Sequence, residues 1–119
     1  MNLSLDHIQI AVPKGAETAC RAFWGDVIGL DEIEKPEALK PRGGCWFALG
    51  GAELHLGVEE DFTPAKKAHP GFRVHGLAAL ADRMEAADHA VKWDDAIKGR
   101  KRFFSEDPFG NRLEFLEDV

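Results

Sequence analysis

The sequence has only two cysteines, no excess of basic residues and no long apolar run. Cys20 and Cys45 form no CxxC pair, and we interpret both as buried, reduced thiols. The net charge of −6 argues against a nucleic-acid or anionic-membrane partner, because either needs a concentrated basic face. No stretch approaches the ~20 apolar residues of a membrane span. Asp6 and His7 interrupt any apolar run that could form a signal peptide, so we expect a cytoplasmic protein.

The chain is long enough for one domain. Its 119 residues, 45% hydrophobic and 30% charged, are typical of a soluble globular protein that buries its core without disulfides. We therefore predict a single domain covering residues 1–119.

The first half of the chain predicts a strand, a helix and three further strands. The strand is "LDHIQIAV" (5–12), and the helix lies in "PKGAETACRAFWGDVIGL", where apolar residues recur at three- and four-residue steps up to Gly29. A short strand near 30–34 precedes "CWFALGGAELHLGV", which predicts a hairpin turning at Gly50-Gly51. This module spans about residues 3–58.

The second half predicts the same order of elements after a polar linker, residues 59–68. Strand "HPGFRV" and helix "GLAALADRMEAADH" are followed by strands in "AVKWDDAI", "FFSED" and "NRLEFLE". The basic segment "KGRKR" (98–102) is expected to be a loop. This second module spans about residues 69–117.

The two halves also agree residue by residue. "HIQIAV" and "HPGFRV" each begin with histidine and reach valine five positions later. "GAELHL" and "GNRLEF" each begin with glycine and place leucine before a potential metal ligand. We interpret these matches as an internal duplication.

Four strands carry a histidine or glutamate on the face opposite their apolar side chains, because side chains alternate along a strand. The four residues are His7, His55, His69 and Glu114. Gln9 shares the face of His7, and Arg73 shares that of His69. Three imidazoles and one carboxylate suit a divalent Zn, Ni, Co, Mn or Fe ion, provided that the strands bring them together.

The sequence resembles the vicinal oxygen chelate superfamily, which contains glyoxalase I, extradiol dioxygenases and the fosfomycin and bleomycin resistance proteins. The resemblance covers nearly the whole chain and rests on "LDHIQIAV", "AFWGDVIGL", "ELHLGV", "HPGFRVHGLAALADRMEAA" and, most specifically, "EDPFGNRLEF". It implies an α+β fold of two βαβββ modules that curl into a glyoxalase-like cup, with helices on the outer face. It also implies metal ligands at His7, His55, His69 and Glu114.

The resemblance favours a metal-dependent lyase or isomerase acting on a small oxygen-chelating substrate. His55 occupies the position that three-ligand branches leave empty, and the chain lacks the tyrosine on which dioxygenase sites rely. Glu114 and His55 are the expected catalytic residues. The alternatives are an extradiol-type dioxygenase, with His55 as acid–base partner, and a non-catalytic drug-binding resistance protein.

Three residues are candidate substrate contacts. Arg73 could hold a substrate carboxylate or form a surface ion pair, and Gln9 could donate a hydrogen bond to a substrate or ligand. Trp46 or its neighbour Phe47 must point toward the pocket face. Short members of the superfamily usually pair, so we expect a homodimer whose site is built within one chain or across two.

Overall fold

The computed structural model describes all of residues 1–119, which divide into two compact units, Met1–Thr63 and Pro64–Val119. Each unit contains a strand, a helix and three strands in that order. The prediction of an α+β fold with two βαβββ modules is therefore confirmed. No helix has both the length and the apolar character needed to cross a membrane.

The first unit contains one mixed sheet with the strand order β1-β4-β3-β2. Its elements are β1 (His7–Val12), α1 (Glu17–Cys20) with a π-helical continuation (Arg21–Val27), β2 (Glu32–Ile33), a 3-10 helix (Glu37–Arg42), β3 (Cys45–Leu49) and β4 (Ala52–Val58). β1 runs parallel to β4, and the other neighbours are antiparallel. Gly50-Gly51 makes the two-residue turn of the predicted hairpin.

The helix of the first unit is wider than its sequence pattern predicts. The N–H of Ile28 donates to the carbonyl of Phe23 at 3.0 Å, five residues back rather than four. Phe23 and Trp24 are consecutive in sequence, yet both are only 1% exposed. Both aromatic side chains therefore belong to the core face of this wider turn.

Alternation along the strands gives the first sheet one apolar face. The buried residues of this face are Ile10, Val12, Cys45, Phe47, Leu54 and Leu56. Cys20 and Cys45 are both buried and form no disulfide, as expected. The opposite face carries the polar residues singled out in the sequence.

A close backbone contact fixes the start of β3. Gly44 has a φ of +80°, and a Cβ at this position would lie 2.0 Å from the carbonyl oxygen of Leu56. Its N–H donates to a carboxylate oxygen of Glu17 at 2.6 Å, and this hydrogen bond lowers the pKa of the Glu17 carboxyl. Only glycine accommodates both the positive φ and the contact.

The second unit repeats the arrangement, with the strand order β5-β8-β7-β6. Its elements are β5 (Gly71–Arg73), α2 (Leu77–Ala86), β6 (Lys92–Asp94), β7 (Arg100–Glu106) and β8 (Arg112–Asp118). The prediction that residues 98–102 form a loop is wrong for the last three, because Arg100–Arg102 pair with β8 as part of β7. Pairing between distant strands overrides the local preference of a charged segment for solvent.

The second sheet carries a row of aromatic residues, one from each strand, which is buried at three positions and exposed at Trp93. Phe72, Phe115, Phe103 and Trp93 are cross-strand neighbours in that order. Successive ring centroids lie 5.5, 5.3 and 5.3 Å apart, within the range of favourable aromatic pairs. Beside this row, α2 buries Leu77, Leu80, Ala81 and Met84.

Candidate functional site

In the first unit, three strands place the candidate residues in two adjacent rows. Gln9 and Trp46 are the cross-strand neighbours of His55 on either side, and His7 is the neighbour of Glu53 in the next row. Register therefore assigns Trp46 to this polar face and Phe47 to the buried one. Sequence alone did not decide between these two residues.

His55 is held between two rings. The indole of Trp46 stacks on its imidazole at 3.6 Å and 4°, and the imidazole of His7 stacks at 4.4 Å and 17°. His55 is 6% exposed, and its Nε2 lies 2.9 Å from Oε1 of Glu53. A carboxylate partner places the ring proton on Nε2, which leaves the lone pair on Nδ1.

Gly57 makes room for the side chain of Gln9 on the same face. A Cβ at Gly57 would lie 2.6 Å from the Cδ of Gln9. The amide of Gln9 therefore rests directly on the backbone of β4, two residues from His55. Gly57 is a position of this candidate site that the sequence signals only by a glycine inside a strand, which is typical of close approach by another group.

In the second unit, His69 and Glu114 are in direct contact. Nε2 of His69 lies 3.0 Å from Oε1 of Glu114, and Nδ1 of His69 lies 2.9 Å from the carbonyl oxygen of Lys67. Glu114 is 8% exposed, so its carboxylate is directed by protein groups rather than by solvent. His69 precedes β5, and Glu114 lies in the middle of β8.

Arg102, which was predicted to lie in a loop, contacts this pair. Its guanidinium lies 3.3 Å from Oε2 of Glu114 and 3.0 Å from a carboxylate oxygen of Asp94. Although desolvation opposes the charge, these two hydrogen bonds raise the pKa of Arg102. The N–H of Ala96 and the Arg102 guanidinium together lower the pKa of Asp94.

Arg73 lies on the face predicted for it but is already paired. Its guanidinium is 3.4 Å from a carboxylate oxygen of Asp118, and 61% of its side chain is exposed. Arg73 was predicted either to bind a substrate carboxylate or to form a surface ion pair, and this contact is a surface ion pair.

A buried turn fixes the start of β8. The side chain of Asp107 accepts hydrogen bonds from the N–H groups of Phe109 and Asn111, both at 2.9 Å, and from the Asn111 amide at 2.7 Å. Asn111 in turn accepts from the N–H of Ala65 at 2.9 Å. The "DPFGN" motif, which ends three residues before Glu114, therefore sets the position of β8.

The donor pairs have the chemistry that a divalent cation requires. Two ligands at right angles around a cation, with bonds of about 2.1 Å, lie about 3.0 Å apart. The nitrogen of His69 and the oxygen of Glu114 have this separation. The structure brings together His7 with His55 and His69 with Glu114, but it contains no group of three or more His, Cys, Asp or Glu side chains arranged to hold a metal ion.

Comparison with known proteins identifies one family. Residues 4–115 match the family model described as the Glyoxalase/Bleomycin resistance protein/Dioxygenase superfamily. A glyoxalase family protein from Bacillus anthracis is 46% identical, with a TM-score of 0.96 over 100% of this chain and 98% of that one. No curated protein matches the chain by sequence.

Two more distant structures share the fold. Lactoylglutathione lyase from Agrobacterium tumefaciens is 20% identical, with a TM-score of 0.76 over 98% of this chain and 95% of that one. The fosfomycin resistance protein FosX from Listeria monocytogenes is 16% identical, with a TM-score of 0.78 over 100% of this chain and 96% of that one.

Proposed function

Because the chain belongs to the glyoxalase/bleomycin resistance protein/dioxygenase superfamily, we propose that it is a metal-dependent lyase or isomerase of the glyoxalase type. Its substrate is a small molecule that chelates the metal through oxygen atoms. The observation that supports the proposal is that each unit has two candidate metal donors side by side, His7 with His55 and His69 with Glu114. His7, His55, His69 and Glu114 together bind one divalent ion, whose identity among Zn, Ni, Co, Mn and Fe stays open.

A bound divalent ion supplies Lewis-acid stabilisation of negative charge that develops on a substrate oxygen. Glu114 is the residue that moves a proton. Its carboxylate lies between Arg102, which contacts Oε2, and His69, which contacts Oε1, and this carboxylate accepts the proton from the substrate. Gln9, resting on Gly57, donates a hydrogen bond to the substrate, and Trp46 walls the pocket beside His55.

The metal content of the purified protein tests this proposal. We expect stoichiometric divalent metal in protein prepared without chelator, and a large loss in His69→Gln and Glu114→Gln, since each removes one ligand. His75→Gln is the matched control, because His75 is exposed and belongs to neither pair. Wild-type protein that stays free of metal after reconstitution, or a His69→Gln variant that binds metal as tightly as wild type, contradicts the proposal.

A dioxygenase is the second candidate, and the contact between His55 and Glu53 favours it. A histidine that is buried, stacked on both faces and oriented by a carboxylate is arranged as an acid–base residue. His7, His69 and Glu114 then form a two-histidine, one-carboxylate triad of the kind that binds iron in oxygenases. His55→Asn separates the candidates: it lowers metal content if His55 is a ligand and leaves metal content unchanged if His55 is an acid–base residue. Turnover of a catechol under oxygen by the iron-loaded protein supports the dioxygenase.

We also propose a homodimer, since members of the superfamily often form dimers. Mixing His7→Gln chains with Glu114→Gln chains tests where the donors come from. If the site is built across two chains, the mixed dimer contains one intact site and recovers metal binding. If each site is built within one chain, the mixture binds no more metal than the separate variants. The mass of the protein in solution, measured by light scattering, decides the oligomeric state.

A further inference from the structure

A cavity of about 570 Å³ opens on the face of the second sheet that carries Glu114. Its lining includes Lys66, Lys92, Trp93, Asp94, Phe104 and Arg112. This volume is within the range of small-molecule sites, which is about 300–1,000 Å³. Glu114 is the cross-strand neighbour of Phe104, so the cavity begins one strand away from the candidate metal ligand.

Some of the charges in this cavity already have partners. The amino group of Lys66 donates to the carbonyl of Gly110 at 3.0 Å and lies 3.6 Å from a carboxylate oxygen of Glu106. Asp94 is paired with Arg102 at 3.0 Å. These four side chains contribute little net charge to the cavity.

The side chains of Lys92 and Arg112 form no direct ion pair, although Arg112 is the cross-strand neighbour of Glu106 and its charge acts on Asp94. The guanidinium of Arg112 lies 4.2 Å from the ring centroid of Phe104. Lys92 is the cross-strand neighbour of Phe104 on β6, whereas Arg112 lies on β8, the other neighbour of β7. Two cations that form no direct ion pair therefore flank one aromatic ring, in a chain whose net charge is −6.

The register fixes the spacing of these groups. Lys92, Phe104 and Glu114 form one row across β6, β7 and β8. Neighbouring strands lie about 4.8 Å apart, so the backbone of Lys92 is about 10 Å from that of Glu114. Arg112 and Glu114 lie on the same face of β8, two residues apart.

We propose that this cavity binds the anionic end of the substrate, a carboxylate or a phosphate. Lys92 and Arg112 bind the charge, and Phe104 supports the carbon skeleton that leads from it toward Glu114. The assignment of the other end of the molecule to Glu114 and His69 rests on the proposed function. The substrate class is then an organic anion whose charged group lies roughly 5–10 Å from its chelating oxygens, one to two strand spacings.

Binding of small probes to the metal-free, full-length protein tests the proposal. Phenyl phosphate and benzoate each carry an anionic group and a ring, and benzyl alcohol carries the ring without the charge. Calorimetric titration should show saturable binding of at least one anionic probe and much weaker binding of benzyl alcohol. A preference for phenyl phosphate identifies a phosphate site, and a preference for benzoate identifies a carboxylate site.

Substitutions then locate the binding. Lys92→Gln should lower the affinity for the preferred probe by roughly tenfold, which is the usual effect of losing one charge-assisted contact. Arg112→Gln should have a similar effect. Lys101→Gln is the matched control, since Lys101 is an exposed lysine of β7 that faces away from this cavity. Lys92 is exposed as well, so its substitution leaves the fold intact.

Equal affinity of wild type and the Lys92→Gln, Arg112→Gln double variant overturns the proposal, as does benzyl alcohol binding as tightly as the anions. These readouts need no metal. Protein that binds the anion but never binds metal refutes the proposed function alone, and protein that binds metal but no anion refutes this inference alone.

Discussion

Replacing Asp107 with alanine should destabilise the protein strongly, because one carboxylate organises the turn before β8. The substitution removes the acceptor of three hydrogen bonds, two from backbone N–H groups and one from the Asn111 amide. Asp107 and Asn111 are 5% and 3% exposed, so water cannot freely replace the lost acceptor. Buried donors without a partner carry the full cost of desolvation.

The size of the effect follows from these contacts. A hydrogen bond to a charged group contributes about 1.5–3 kcal/mol, but neighbouring bonds are not additive. The N–H of Phe109 is also in a part-buried region where some hydration can return. We therefore expect a loss of about 3–5 kcal/mol in the free energy of unfolding, a large share of the 5–15 kcal/mol of a typical domain.

Urea unfolding followed by far-ultraviolet circular dichroism measures this loss. With an m-value near 2 kcal/mol/M, the midpoint should fall by roughly 1.5–2.5 M. Asp95→Ala is the matched control, since Asp95 is exposed, lies in a loop and makes no hydrogen bond or ion pair. Asp107→Asn should lie between the two, because it keeps one acceptor oxygen but loses the charge. A midpoint for Asp107→Ala that matches that of Asp95→Ala refutes the reasoning.

Two further predictions concern stability. Gly44→Ala should cost roughly 3 kcal/mol or more, from the positive φ together with a Cβ placed against the carbonyl of Leu56; Gly51→Ala, which meets nothing within 4 Å, should change stability by less than about 0.5 kcal/mol in the same urea assay. Hydrogen bonds from two N–H groups at the start of α2 hold the pKa of Glu117 below its usual value. The stabilisation from Glu117 is therefore complete above its unfolded pKa of about 4.3 and is lost as pH falls through the folded value. The stability difference between wild type and Glu117→Gln should shrink as the pH falls below about 4, and a difference that grows on acidification contradicts this sign.

The fold was predictable because its signals are local and repeated. In β8, Leu113 and Phe115 alternate with Glu114, and this pattern alone indicates a strand with a buried face. Glu114 and His69 were predicted to lie on the polar face of their strands, so the two-residue period of a strand was enough to identify them as candidate metal ligands. Their 3.0 Å contact depends on the pairing of two strands that are distant along the chain.

Arg102 shows what a single sequence hides. Its neighbours Lys101 and Arg100 make the segment appear solvated, and nothing local indicates that Arg102 alone turns toward two carboxylates. Its partners Asp94 and Glu114 lie on different strands, so the contact exists only once β6, β7 and β8 are in register. The π-helical turn at Phe23 is hidden as well, since the apolar residues of this segment recur at the three- and four-residue steps of a regular helix.

The strand order of the second unit also has a consequence for biosynthesis. β5 has β8 as its sole neighbour in the sheet, so it must wait until the ribosome has released the segment that carries Glu114. Before then, α2, β6 and β7 leave the ribosome while β5 still has no strand with which to pair. Contacts between such distant segments form slowly. Nascent chains of this protein therefore pass through an interval with an open strand edge, during which they are vulnerable to aggregation or to pairing with another molecule.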